Sequence, residues 1–166
     1  MPEKFLCIIA TFDKETSKRM REIYHTLTEA GIIGKQTTDL PHHITLAYFD
    51  TSHEDEIKEL LQEVCGRTKS FDLYFNHIGL FGLKVLFLAP NVNYELLELH
   101  KDLDSDGIKS SEEWTAHTTI LIDEAEIIQK ALPLVAQSFK QLNGRVESVS
   151  LYEFFPTRFI AKFSLQ

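Results

Sequence analysis

A chain of 166 residues suits one domain, since domains of about 100–200 residues bury enough apolar surface to need no metal or disulfide staple. Its 43% apolar and 25% charged residues are ordinary for a globular protein, and no apolar run approaches the ~20 residues of a membrane span. The net charge of −8 argues against a long groove for duplex nucleic acid, which needs a basic stripe, yet it allows one phosphate held by a few local donors.

The start, Met1-Pro2-Glu3-Lys4, leads directly into a β-forming run and lacks the pattern of a signal peptide. Cys7 and Cys65 fall in no redox or metal spacing, so both are expected as free thiols in a cytosolic protein. Lys4–Thr11 reads as a strand. Asp13–Ala30 reads as a helix, with Met20, Ile23, Tyr24 and Leu27 at helical spacing and Gly31 as its stop. A loop over 34–41 leads to a strand at His43–Phe49. A second helix covers Ser52–Cys65, followed by strands at Phe71–Phe81 and Val85–Ala89, the latter ended by Pro90.

The order then repeats. A helix is expected over Asn93–Leu103, a polar loop over Asp104–Glu113 and a strand over Thr115–Ile122. A helix over Glu124–Leu142 follows, with a kink or late start at Pro133. Strands at Arg145–Phe155 and Arg158–Leu165 close the chain. Asp50 and Asp123 precede helices and read as caps, Asp123 with Glu126 as a capping-box-like pair. The matching halves, approximately 1–82 and 83–166, point to an internal duplication within a single 1–166 domain. The expected architecture is α+β and bilobal. Two pseudo-twofold-related lobes of antiparallel sheet, with helices packed outside, would flank a central cleft.

At the same place in each half stands a histidine two residues before a threonine, inside a strand-like run. Residues i and i+2 of a strand share a face, so His43 projects with Thr45 and His117 with Thr119. Two imidazoles can serve as general acid and general base, and two hydroxyls can hold phosphate oxygens. The catalytic candidates are therefore His43 and His117, and the phosphate-binding candidates Thr45 and Thr119. Phe49 shares the His43 face as a wall. His42 points to the opposite face at the strand entry. His25, His53, His77 and His100 read as surface or boundary residues. Phe81, Trp114 and Phe155 are candidates for stacking on a base, and Arg158 for assisting a phosphate.

One other pattern bears on function. Asp102-x-Asp104-x-Asp106-Gly107-x5-Glu113 has the spacing of a calcium loop. A strand follows it where a helix should exit, Lys109 stands where an apolar residue is usual, and no second such loop exists to pair with it. A polar loop is the expected reading, with no metal and no cofactor.

His43-Ile44-Thr45-Leu46 and His117-Thr118-Thr119-Ile120 resemble the two signature motifs of the two-histidine phosphoesterases, the 2′-5′ RNA ligase-like proteins. Ile78-Gly79-Leu80-Phe81, Val85-Leu86-Phe87-Leu88-Ala89-Pro90 and Leu151-Tyr152-Glu153-Phe154-Phe155-Pro156 extend the resemblance over nearly the whole chain. The chain departs from one motif to the other in what precedes it: Pro41-His42 in the first, Thr115-Ala116 in the second. The resemblance implies metal-free phosphodiester chemistry in a cleft between two lobes. Its motif histidines fall on His43 and His117, and its hydroxyls on Thr45 and Thr119. The implied enzyme is a monomer acting on a nucleotide or RNA end, at a 2′,3′-cyclic phosphate or 2′-5′ linkage, by hydrolysis or ligation. It would use neither duplex nucleic acid nor membrane. The alternative is a non-catalytic nucleotide-binding module of the same fold.

Overall fold

The computed structural model describes residues 3–109 and 112–166. Met1 and Pro2 of the N-terminal reading, and Ser110 and Ser111 of the polar loop, lie outside the described residues. The elements run β1 (Phe5–Phe12), α1 (Lys14–Glu29), β2 (His43–Phe49), a 3-10 helix (Thr51–His53), α2 (Glu54–Arg67), β3 (Phe71–Phe81) and β4 (Val85–Pro90). Then come α3 (Tyr94–Asp104), β5 (Thr118–Ile122), α4 (Ala125–Ser138), β6 (Leu142–Phe154) and β7 (Arg158–Ser164).

All strand pairs are antiparallel, in the order β2-β1-β6-β3-β4-β5. The order is palindromic: exchanging β1, β2 and β3 for β4, β5 and β6 reproduces every pairing. The helices obey the same exchange, since α1 packs on α4 and α2 on α3. β7 stands outside it and pairs with the second half of β6. The fold is thus a mixed α+β arrangement of antiparallel sheet and four α-helices.

β1 shows why an unbroken apolar run was needed. Leu6, Ile8, Ala10 and Phe12 enter the main core, where Met20, Ile23 and Leu27 of α1 also pack. Cys7 and Ile9, on the opposite face, form a second cluster with Phe154, flanked by Phe5, Leu40, Tyr48 and Tyr152. A strand buried on both faces cannot alternate with polar residues. The Asp13 carboxylate accepts from Thr16 N and starts α1, and the chain leaves the helix through Gly31 at φ 81°.

Three expectations need correction. α4 runs unbroken through Pro133 and ends at Ser138, where Phe139 turns extended. β6 consequently starts at Leu142, because Leu142 already pairs with Phe75 of β3. Asp123 does not cap α4: the cap position is Glu124, and the Asp123 carboxylate accepts from Glu124 N at 2.8 Å. Asp50 does cap the 3-10 helix, accepting from Ser52 N at 2.9 Å. Finally, β5 begins at Thr118 and leaves His117 one residue ahead of it. Thr118 pairs with Leu88, and beyond that β4 runs into Pro90, which has no N–H to continue a ladder.

Candidate active site

The two motifs meet in one cleft of about 490 Å³, lined by His43, Thr45, His117 and Thr119. They arrive there from the two ends of the strand order, β2 and β5, which touch each other. Both imidazoles are held in the same way. His43 Nδ1 lies 2.8 Å from the Pro41 carbonyl oxygen and His117 Nδ1 lies 2.7 Å from that of Thr115. A carbonyl only accepts, so Nδ1 carries the hydrogen in each ring and donates it. That fixes the tautomer and leaves Nε2 of each ring as the nitrogen without a hydrogen, able to accept a proton. Burial lowers the pKa of both histidines, the carbonyl contact of each opposes this, and the nearby His117 lowers that of His43 further. In the free protein both rings are therefore neutral above their ordinary titration range, and protonating one discourages protonating the other.

The strands carrying these residues share an irregularity. The register between β1 and β2 slips at Leu46, and that between β4 and β5 slips at Ile120. Each bulge falls three residues after its histidine and reverses the alternation beyond it. Hence Phe49 does not share the face of His43 and Thr45. It is buried in the main core, and Tyr48 lines the cleft in its place. Ile122, five residues after His117 as Tyr48 is after His43, also lines the cleft. The misreading had a warning sign: Leu46-Ala47-Tyr48-Phe49 does not alternate.

His42 also departs from its expected place. It precedes β2, so strand alternation does not govern it, and its ring lines the cleft edge-on to Tyr24 at 6.4 Å. Burial, with the charges of His43 and Arg21, pushes its pKa down to about 4. His42 is a neutral wall of the site.

The floor beside His43 holds Cys7, Thr45 and Tyr48. Burial raises the pKa values of the Cys7 thiol, to about 12, and of the Tyr48 phenol, and the neighbouring Thr45 side chain opposes both shifts. Both cysteines are free and buried, so neither thiol is reactive here.

Of the base-stacking candidates, Phe155 lines the cleft and is 55% exposed, open to a ligand. It packs on Phe5 and Phe154, and the peptide bonds on either side of it are cis. Phe81 instead presents its ring to His117, edge to face at 4.7 Å, while Phe87 contacts the same imidazole at 5.3 Å. Gly79 makes this possible, because a Cβ there would lie 2.5 Å from the Phe87 ring. Trp114 is not brought to the cleft lining. Its Nε1 donates to the Thr45 backbone carbonyl at 2.9 Å, and its ring packs on His100 and the main core. Arg158 is likewise elsewhere, held by Glu153 and Glu54. His25 and His53 pair with Glu29 and Glu56 on the surface, and His77 is exposed beside Asn76.

In the acidic loop Asp104 receives Lys109 Nζ at 2.7 Å and lies 3.8 Å from His100 Nε2, while Asp102 faces Arg67 at 3.5 Å. These carboxylates are answered by side-chain cations. Among the described residues no three His, Cys, Asp or Glu side chains converge as a metal site. A wider recess of about 890 Å³, lined by Arg67, Asp72, Tyr74, Asn93 and Arg145 among others, contains none of the motif residues. Among the described residues no helix is long and apolar enough to cross a membrane.

The family model of the 2′-5′ RNA ligase superfamily matches residues 13–154. No curated protein sequence matches the chain. Among solved structures, E. coli LigT complexed with 3′-AMP superimposes with a TM-score of 0.69 at 16% identity, covering 98% of each chain. TT0787 of Thermus thermophilus does so with a TM-score of 0.66 at 13% identity, covering 97% of each. A third structure, described only as a phosphoesterase, has a TM-score of 0.64 at 17% identity and covers 98% of this chain and 99% of its own. At these identities the likeness is one of fold.

Proposed function

This chain belongs to the 2′-5′ RNA ligase superfamily, and from that premise we propose that it is a phosphodiesterase acting at a nucleotide or RNA end. Its substrate is a 2′,3′-cyclic phosphate or a 2′-5′ linkage, and its catalysts are the His43 and His117 imidazoles without a metal. The observation that carries the reading is the matched pair of Nδ1–H to carbonyl bonds, which leaves an Nε2 on each ring in a shared cleft. A module that only bound nucleotides would not need two titrating rings held in one tautomer.

In the hydrolytic direction one neutral Nε2 takes a proton from water as its oxygen bonds to phosphorus. The other, protonated, gives its proton to the ribose oxygen as the P–O bond breaks. The product is a phosphate monoester and a free ribose hydroxyl, and the two rings have exchanged protonation states. With a hydroxyl as nucleophile in place of water, the same exchange runs as transfer or ligation. Thr45 and Thr119 hydroxyls donate to the non-bridging oxygens, where charge accumulates. E. coli LigT, which shares the fold, has been crystallised with 3′-AMP, phosphate, ATP and NADP+, and ligands of that kind suit a cleft with Phe155 open on one side. The palindromic strand order supports reading the chain as one domain built from a repeat of about 1–82 and 83–166.

The test is turnover of 2′,3′-cyclic nucleotides and of a 2′-5′ dinucleotide, with and without EDTA. Turnover of one or both that is indifferent to EDTA is expected. Binding without turnover of either would replace the enzyme with a nucleotide-binding module. Loss of activity in EDTA restored by calcium would return the loop at Asp102–Glu113 to consideration.

A further inference from the structure

The chain has five arginines. Four are engaged: Arg19 donates to the Gln141 carbonyl, Arg67 pairs with Glu63 and Asp102, Arg145 with Asp72, and Arg158 with Glu153 and Glu54. Arg21, on the exposed side of α1, has no hydrogen bond or ion pair among the described residues, yet it lines the catalytic cleft. In a protein of net charge −8 an uncommitted guanidinium at the mouth of an anion site is conspicuous. Its charge acts on His42 and is not among those that act on His43, so Arg21 stands nearer the entry to β2 than the histidine pair. Thr37 and Thr38 also line the cleft, and neither hydroxyl is engaged in a hydrogen bond among the described residues.

We propose that Arg21, with the Thr37 and Thr38 hydroxyls, forms a second anion subsite that binds a phosphate of the substrate other than the one undergoing reaction. This rests on the reading of the cleft as a nucleotide site. The ligand class is a nucleotide bearing two separate phosphates, one at the histidine pair and one at Arg21. A planar guanidinium with five donors suits a phosphate in a way a lysine does not. His42 lines the same cleft and is neutral at physiological pH, so it adds no charge that would draw both anions to one place.

The test compares equilibrium binding of adenosine 3′-monophosphate and adenosine 3′,5′-bisphosphate by calorimetry, at one ionic strength, in wild type, Arg21→Gln and Arg21→Lys. Wild type should prefer the bisphosphate by about tenfold, as expected for a charge-assisted contact worth ~1.4 kcal/mol. Arg21→Gln should bring the ratio to about one, and Arg21→Lys should retain part of it. Equal affinities in wild type, an undiminished preference in Arg21→Gln, or no binding of either ligand would overturn the subsite. Because binding needs no turnover, a protein that shows the Arg21-dependent preference but cleaves nothing would sink the proposed reaction and leave the subsite standing.

Discussion

The surroundings of His43 and His117 differ more than the two histidines do. Both rings donate Nδ1–H to the carbonyl two residues back, and both are followed at the third residue by a bulge. Around that common frame the positions have diverged. Before the histidine stands His42 in the first half and buried Ala116 in the second. Five residues after it stands Tyr48 in one and Ile122 in the other. His43 sits beside a polar floor of Cys7, Thr45 and Tyr48, whereas the His117 ring is packed by Phe81 and Phe87. What is kept is the hydrogen bond that orients each ring, and what varies is the wall around it.

The largest break should come from the rings themselves. His43→Ala and His117→Ala should each lower kcat/KM by about 10²–10⁴-fold, and the double variant should be far less than multiplicatively worse. A near-native His117→Ala enzyme would end the equivalence of the halves. The pH profile sharpens the same point. The base works above its pKa and the acid below its own, and both pKa values are lowered from the ordinary 6.5, so the kcat/KM bell should peak on the acid side of pH 6.5. A peak above pH 7.5 would contradict the burial of the pair.

Next in size are the hydroxyls. Thr45→Val and Thr119→Val keep the side-chain shape and remove the donor, and each should cost on the order of 1–3 kcal/mol of transition-state stabilisation. The pH optimum should stay put in Thr119→Val. If Thr45→Val moves one limb of the bell while keeping its maximum rate, Thr45 is tuning a neighbour and is not holding phosphate.

A smaller effect separates the halves more cleanly. Gly79→Ala forces Phe87 aside, since its new Cβ would sit 2.5 Å from that ring. Activity should fall about tenfold, a modest misplacement cost. The imidazole NMR signals of His117 should shift and those of His43 should not. Equal shifts at both rings would show that the packing is shared.

The smallest effect concerns stability. The pKa of His42 is depressed in the fold to about 4, so between pH 6.5 and 4 the unfolded chain binds a proton that the folded chain does not. Its contribution is fully present above pH 6.5 and is lost as pH falls through that window. His42→Gln should flatten the acid loss of stability by on the order of 1 kcal/mol, once partial exposure is allowed for. Denaturant midpoints at pH 7 and pH 4.5 read it directly. A midpoint difference unchanged by the substitution would mean that His42 is already charged in the fold.

Most of the fold was legible in the chain because its signals are local. Apolar periodicity, the cap at Asp13 and the stop at Gly31 set α1 within a residue or two. That the two histidine–threonine pairs line one cleft was legible from their matching places in the chain, although only His43 lies on its strand and His117 stands one residue ahead of β5. What failed lay wherever register decides. The bulges at Leu46 and Ile120 have no residue signature of their own, so alternation alone puts Phe49 on the cleft face and leaves Tyr48 off it. Alternation does not govern His42, which precedes β2. Trp114 was open to either role, and only the long-range bond to the Thr45 carbonyl decided it. Arg21 has no legible place in the sequence because nothing in a solvent-facing stretch of helix says which cleft it borders. Gly79, a glycine inside a strand, was a usable sign of close backbone approach.

β2 and β5 end the strand order, and so each carries an unpaired edge. Such an edge normally invites pairing with another chain. Here the sheet closes enough for the two edges to touch and to carry the cleft between them. A phosphate bound there as proposed would act as a clasp on an otherwise open ring of strands. Occupancy should slow amide exchange in β2 and β5 together, while β6, paired along both of its edges, remains as protected as it was.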